Sequence, residues 1–544
     1  MVTTDKEVAA TPAPPRSALA PLRHTVFAVL WTATVVSNIG TWMNDVAAGW
    51  LMTTLASSPL LVALVQTATT LPVFLFALPG GALADIVDRR KLLITAQVTL
   101  ALIILALGLL VLFEAMTPLL LLLFVALAGT GAALVAPAWQ AIVPRLVPRA
   151  DLQAAIALNS VGINISRAIG PALGGLIIAA LGIAWPFLLN ALSFLGIIAA
   201  LIWWRPPAAP GEHLPAERFA SAIRTGLRYV RYSPLLRAAL IRAVAFFIFA
   251  SAYWALLPLI ARDVLDGGPK FYGLLLGCIG AGAVGGAFFL PRLKVALGAD
   301  RLVALGTLGT ALAMLIFALV PDQRVAAAAG LLAGASWIAV LSDLNVAAQM
   351  ALPEWVRARG LSVFVMAFFG ALSGGSILWG QTASLLDIPT TLVIAACGAG
   401  LAIPLTWRWR LQRDEQADLS PSMHWPAPVV AGNIADDRGP VLVTVEYRID
   451  PTEHKAFLTA MAGVCGERRR DGAFAWGVFE DAADPMRVIE HFMVESWVEH
   501  LRQHARVTNA DRIAQEHVRR FHRGDKPPRI THLLAARPDD LALR

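Results

Sequence analysis

Long apolar runs alternate with short polar punctuation along three quarters of this chain. Twelve of them reach the length of a bilayer-crossing helix, about 20 residues. The first six are 26–52, 59–83, 92–113, 117–143, 154–181 and 184–204. The second six are 239–261, 271–292, 301–320, 325–350, 360–386 and 389–409. The expected fold is therefore an all-α membrane protein, with two six-helix bundles over 25–204 and 237–411. Residues 205–236 divide them. This linker opens on Arg205-Pro206-Pro207 and continues as an amphipathic helix, with Phe219, Ile223, Leu227 and Val230 on one face and Arg218, Arg224, Arg228 and Arg231 mostly elsewhere. Such a helix suits a membrane surface. After a polar linker, 412–440, the period changes. Residues 441–536 hold no membrane-length run and read as strand, helix, two strands, helix, strand, the order of a ferredoxin-like α+β sandwich. Residues 1–24 and 537–544 read as tails, the first disordered and cytosolic.

Composition agrees with lipid as the main solvent. The 544 residues are 57% hydrophobic and 15% charged, and the mean hydropathy is +0.65. The net charge of +7 points to cytosolic loops before nucleic acid, because its cations cluster on alternate loops: Arg89, Arg90, Lys91, then Arg145 and Arg149, then Arg292, Lys294 and Arg301, then Arg357 and Arg359. That bias places both termini in the cytosol of a multi-pass inner-membrane protein. Cys278, Cys397 and Cys465 imply no disulfide framework. No phosphate-cradling Gly-rich run ending in Gly-Lys-Ser/Thr is present, so ATP drive is not expected, nor any cofactor.

Charges inside spans carry the candidate mechanism, since each costs at least ~2.5–3.5 kcal/mol at mid-bilayer. Asp45 lies near Asn38 and Asn44, Arg167 midway along the fifth span, and Asp343 beside Asn345. Each should face a wet cavity or a partner. A structural pairing remains an equal reading for the two acids. Trp42, Trp50, Trp139, Trp254, Trp337 and Trp379 could line a pocket for a flat or greasy solute, or pack and anchor. Small residues let helices approach and slide in lipid. Gly170, Pro171, Gly174 and Gly175 supply such a face on the fifth span, Gly277 and Gly285 on the eighth, and Gly374 on the eleventh. In the tail, His500 and His504 share a helical face, but two ligands make a poor metal site, so no metal is expected. Glu467-Arg468-Arg469-Arg470 reads as a solvated turn. Two further function classes stay open beside transport: an enzyme in the tail anchored by the spans, and a non-transporting sensor or scaffold.

The run Gly81–Lys91 turns between two apolar spans, and its pattern Gly-x-x-x-Asp-x-x-x-Arg-Arg resembles the signature loop of the major facilitator superfamily. Gly40-Thr-Trp42, Pro144–Leu152, Asn159 and Arg167–Gly175 are similar to the enterobactin exporter branch of that superfamily. The resemblance implies a secondary transporter exporting a small organic solute (siderophore, drug or other metabolite) by alternating access, with proton coupling by analogy. It implies that Gly81, Asp85, Asp88, Arg89 and Arg90 form a cytosolic latch toward the eleventh span, and that the fifth and eighth spans meet between bundles. Ile86 and Asp88 depart from the pattern. The fourth span lacks the Arg that many proton-coupled relatives carry. The tail is similar in pattern to dimeric α+β barrels of the antibiotic-biosynthesis monooxygenase type, which implies self-association through it.

Overall fold

The computed structural model describes residues 19–205, 219–411 and 418–536, apart from 423, 426, 427, 429–431, 433 and 436. Residues 1–18, 206–218 and 537–544 lie outside the described residues; the end of the expected disordered tail is ordered instead, with a helical turn over Ala20–Arg23 and His24 Nε2 2.9 Å from Asp151 Oδ2. Six helices form the first group: α1 Thr25–Leu55, α2 Pro59–Ile86, α3 Arg89–Leu112, α4 Pro118–Ile142, α5 Leu152–Leu181 and α6 Trp185–Trp203. After α7 Phe219–Tyr232, the second group comprises α8 Pro234–Leu259, α9 Pro269–Leu319, α10 Gln323–Met350, α11 Arg357–Leu385 and α12 Ile388–Thr406. Among the described residues, eleven helices are long and apolar enough to cross a membrane.

Local chemistry sets where these helices begin. Ser233 precedes Pro234 and accepts from Leu236 N (3.4 Å), so α8 starts ahead of the expected 239. Asp322 accepts from Arg324 N and Val325 N at 2.8 and 3.0 Å. Asp387 accepts from Thr390 N at 2.7 Å before Pro389. A short polar side chain satisfies first-turn donors, and proline fits where no donor is needed. The runs 271–292 and 301–320 are joined in α9, which has 51 residues. The helix breaks at Gly298, whose φ of 74° and ψ of 164° are open to glycine and strained for other residues.

Within the first group α1 packs on α5 and α6, α2 on α4, and α3 on α4 and α6; within the second α9 packs on α10 and α12, and α8 on α11 and α12. The groups meet through α2 with α11 and α5 with α9.

The polar module opens with β1 Val441–Arg448. It continues through α13 His454–Asp471, β2 Ala475–Glu480, β3 Arg487–Val494, α14 Trp497–Arg506, α15 Asn509–Arg519 and β4 Arg529–Leu534. The single helix expected over 497–521 is two. Thr508 starts the second with a reciprocal capping box to Asp511. The sheet is antiparallel, in the order β2-β3-β1-β4. Strict alternation buries Val441, Val443, Val445 and Tyr447 on one face, with Val488, Glu490, Phe492 and Val494 beside them. Phe457, Met461 and Val464 of α13 join that core. The opposite face carries Phe479, 60% exposed, and Leu533, 49% exposed.

The module sits against the membrane part. Arg470 lies over the Tyr229 ring (5.8 Å), Arg506 over Trp355 (4.5 Å), and Arg228 Nη2 is 3.6 Å from Glu499 Oε1. Tyr229 Oη donates to Ala351 O at 3.0 Å. This is the module end of the membrane part, where α1 starts and α10 ends; the opposite end is the far end. Residues 467–470 are not the solvated turn expected. They lie on α13, where Arg468 Nε donates to Glu490 Oε1 at 2.9 Å and Arg470 bridges Asp471 and Asp511 at 2.9 and 2.6 Å.

Candidate functional site

Alternating small residues decide where the two helix groups touch. A Cβ on Gly175 would lie 2.6 Å from Pro269 O and 2.9 Å from Gly273 Cα; one on Gly273 would lie 2.6 Å from Pro171 O. The α5 and α9 backbones therefore touch near the far end, with no room for a side chain. Further along, a Cβ on Gly280 would be 3.0 Å from Ala168 Cα, and one on Gly277 3.5 Å from Ala172 Cβ, an ordinary contact. Gly285 and Gly374, expected to pack, face open space. The physical reason is helical phase: Gly273 and Gly280 are seven residues apart and point toward α5, which Gly285 does not. On α11, Ser373 takes the contact with α2 and Gly375 packs on α8. Gly170 and Gly174 face α1, against Trp42 and Met43.

The other far-end contacts agree. Trp50 stacks on Tyr272 with centroids 6.0 Å apart. Arg262 Nη1 donates to Thr53 O. Leu60 N donates to Ser384 Oγ at 3.1 Å, and Thr70 Oγ1 lies 2.7 Å from Ser373 Oγ.

Between the groups lies a small cavity lined by Trp42, Arg167, Pro171, Trp254, Gly280 and Trp337. Arg167 Cζ stands 5.4 Å over the Trp42 ring, a cation–π contact. Trp254 and Trp337 meet edge to face at 5.4 Å, and Phe247 and Phe368 extend the aromatic wall. Arg167 Nε is buried there with no hydrogen-bond partner, and Trp254 Nε1 and the neighbouring Tyr253 Oη, which stand against each other, make no other bond within the chain. Buried donors are ordinarily satisfied, so this cluster stands apart from the rest of the core. Of the other tryptophans, Trp139 Nε1 donates to Asn159 Oδ1 at 3.2 Å and Trp379 Nε1 to Ile248 O at 2.6 Å. Both are structural.

The three candidate charges separate. Arg167 is in the cavity. Asp45 lies on α1 within electrostatic reach of Tyr272, beside Asn44, whose buried Oδ1 has no partner. Asn38 is half-buried two turns earlier. Asp343, 1% exposed, has Lys294 Nζ 2.6 Å from its Oδ1. The two form an ion pair. Asn345 is exposed and accepts from Gln349 Nε2 at 3.1 Å. Counting Lys294 among the loop cations hides the pair, and Arg242, a charge inside the expected span 239–261 that the sequence reading does not single out, donates to Asp300.

The latch residues have other partners here. Asp88 Oδ1 accepts from Lys91 N at 2.9 Å and caps α3. Arg90 donates from Nε to Leu201 O and from Nη2 to Ile202 O, both at 2.8 Å. A cation on those last carbonyls complements the α6 dipole. Arg89 starts α3. The side chains of Gly81 and Asp85 lie outside the described residues.

Relatives of known activity place this geometry. The enterobactin exporter EntS of Shigella boydii serotype 4 (strain Sb227) is 28% identical over 384 residues, covering 70% of this chain and 90% of its own length. EntS of Escherichia coli O1:K1 / APEC is 27% identical over the same shares. Solved structures agree in fold alone. A bacterial homologue of the iron transporter ferroportin, inward-facing, aligns with a TM-score of 0.56 at 16% identity over 72% of this chain and 99% of its own. A POT family transporter in complex with a thioalcohol-conjugated peptide aligns with a TM-score of 0.59 at 13% identity, over 70% and 95%. The transmembrane secretion effector family, MFS_3, matches residues 16–539. That match spans nearly the whole chain, and this chain belongs to the family as a multi-pass membrane transporter of the major facilitator type.

Proposed function

We propose that the protein exports an anionic, acceptor-rich organic solute of the siderophore class by alternating access, from an inner membrane with both termini in the cytosol. The carrying observation is the cavity around Arg167, where the buried guanidinium Nε lacks a partner beside an aromatic wall. An always-charged guanidinium with a free N–H favours carboxylate or phenolate groups, and the tryptophans favour flat rings. The relatives named for enterobactin export supply the solute class and direction. The break at Gly298 supports counting α9 as two crossings, hence twelve in two sets of six. Contacts gathered at the far end, with Gly285 in the open, support a state accessible from the module end. There Asp88 and Arg90 bond within their own helix group, and we assign the latch of Gly81, Asp85, Asp88, Arg89 and Arg90 to the state in which that end closes.

Asp45 is the proposed proton site. It sits in a span near the Trp50–Tyr272 closure, where a change of charge would be felt by both groups. Asp343, with Lys294 beside it, is assigned to holding α9 on α10. The module is proposed to be ferredoxin-like, and its uncovered sheet face, with Phe479 and Leu533, supports self-association.

Efflux of enterobactin from proteoliposomes under an imposed pH gradient tests the reading. Arg167→Ala should lower the rate at least ~10-fold, and Arg167→Lys should recover part of it, since an ammonium keeps the charge and loses the fork. Asp45→Asn should uncouple efflux from the gradient. An Arg167→Ala protein that transports as the parent does would sink the assignment.

A further inference from the structure

The tail module brings together three imidazoles that sequence spacing did not connect. Ser496 starts α14 by accepting from Glu499 N (3.3 Å), which puts His500 and His504 one turn apart on one face. The β1–β4 register sets His532 opposite Val443, on the sheet face that α14 covers. The ligand atoms of His500, His504 and His532 all lie within 4.8 Å of one another. His500 Nε2 and His504 Nε2 are 3.3 Å apart. Two nitrogens each bound at 2.0–2.1 Å to a tetrahedral Zn2+ stand about 3.3 Å apart, so this edge already has the spacing such an ion needs.

We propose that His500, His504 and His532 form a three-histidine site for a divalent cation of the zinc type, with a fourth position left for water or an exogenous ligand. Neutral imidazole suits Zn2+ among available cations. The supporting atoms fit. The Nε2 atoms of His500 and His504 face each other, and His500 Nδ1 lies 3.4 Å from Gln503 Oε1. Such outer contacts fix ring orientation in metal sites. Gln503 is fully buried and its Nε2 has no partner. Trp497 and Trp425 wall the cluster at 5.5 Å from His500 and 5.0 Å from His504. The nearby guanidinium of Arg468 is neutralised by Glu490. Because α14 also carries Glu499 and Arg506, which contact Arg228 and Trp355, an ion there would stiffen the helix that docks the module on the membrane part. A proton shared between His500 and His504 is the alternative use of the same geometry.

The test uses full-length protein in detergent, with any affinity tag removed and metal stripped by chelation. Calorimetric titration with Zn2+ should show one ion per chain. Co2+ should give the intense visible absorption of a tetrahedral site. His500→Ala, His504→Ala and His532→Ala should each weaken Zn2+ at least ~10-fold. His532→Phe keeps a ring in the slot, so it should retain the fold by thermal unfolding and lose the Co2+ spectrum. His517→Ala, at an exposed ring, should bind as the parent does. Hydrogen exchange of α14 should slow on adding Zn2+. Absence of stoichiometric binding, or affinity unchanged by all three histidine substitutions, would overturn the site in favour of the shared proton.

Discussion

Arg468 is buried and Arg167 half-buried with its Nε out of reach of water, and the two are treated in opposite ways. Arg468 sits under the module's sheet, where Nε and Nη2 donate to Glu490 at 2.9 and 3.4 Å, and its plane lies 4.8 Å from both Trp425 and Phe492. Tyr447 and Trp476 complete the carboxylate's bonds. Burial opposes the Arg468 charge, yet Glu490 raises it above its ordinary value. Arg167 has a ring to stand on but a buried Nε with nothing to donate to. A satisfied buried charge holds a fold in one arrangement. An unsatisfied one is tolerated where a ligand or a moving partner completes it. The contrast separates the scaffold of this protein from its working part.

The contrast breaks most visibly by substitution. Arg468→Ala leaves Glu490 buried and unpaired and should cost on the order of 3–5 kcal/mol, read as loss of the module's unfolding transition in detergent. Arg167→Ala should leave thermal stability within about 0.5 kcal/mol of the parent while efflux falls. If both substitutions destabilise equally, the distinction fails. Next comes the far-end contact. Gly273→Val drives a side chain into the α5 backbone and should cost ~1–3 kcal/mol, shifting cysteine accessibility toward an open far end, whereas Gly285→Ala and Gly374→Ala should change nothing measurable.

A smaller effect is pH-dependent. Burial, reinforced by Asp511, raises Glu467 to about 8, against an ordinary value near 4.3 in an unfolded chain. Between those values the unfolded chain releases a proton that the folded module keeps. Stability should therefore be full below about pH 4 and decline as pH rises to about 8. Glu467→Gln should flatten that slope in melting curves taken across the range. Smallest is the docking contact: Arg228→Ala removes a partner 3.6 Å from Glu499 and should cost less than ~1 kcal/mol, detected as faster hydrogen exchange in α7.

Much of the membrane architecture was legible residue by residue. Spans such as 154–181 and 184–204 coincide with α5 and α6 to within a residue or two, because lipid forces every crossing to satisfy its own backbone. Arg167 stood out for the same reason, as a charge where charge is expensive. Its neighbours did not. Tyr253 looks like any apolar-run tyrosine, and Gly273 and Gly280 were passed over for Gly277 and Gly285, since a glycine-rich stretch does not announce which phase faces α5. Arg90 was read from its family position as part of a latch, while its contacts here cap α6.

Solvent and period are written in one dimension. The chain alone therefore determined a lipid-embedded, two-part helical protein with a polar α+β tail, and marked the charges that needed an explanation. Which charges became pairs and which stayed available was decided only in three dimensions. Asp343 met Lys294, Glu490 met Arg468, and His532 joined His500 and His504 across one intervening helix. Coulombic and hydrogen-bond terms act over a few ångströms, so they depend on register and helical phase, which hydrophobic periodicity leaves undetermined.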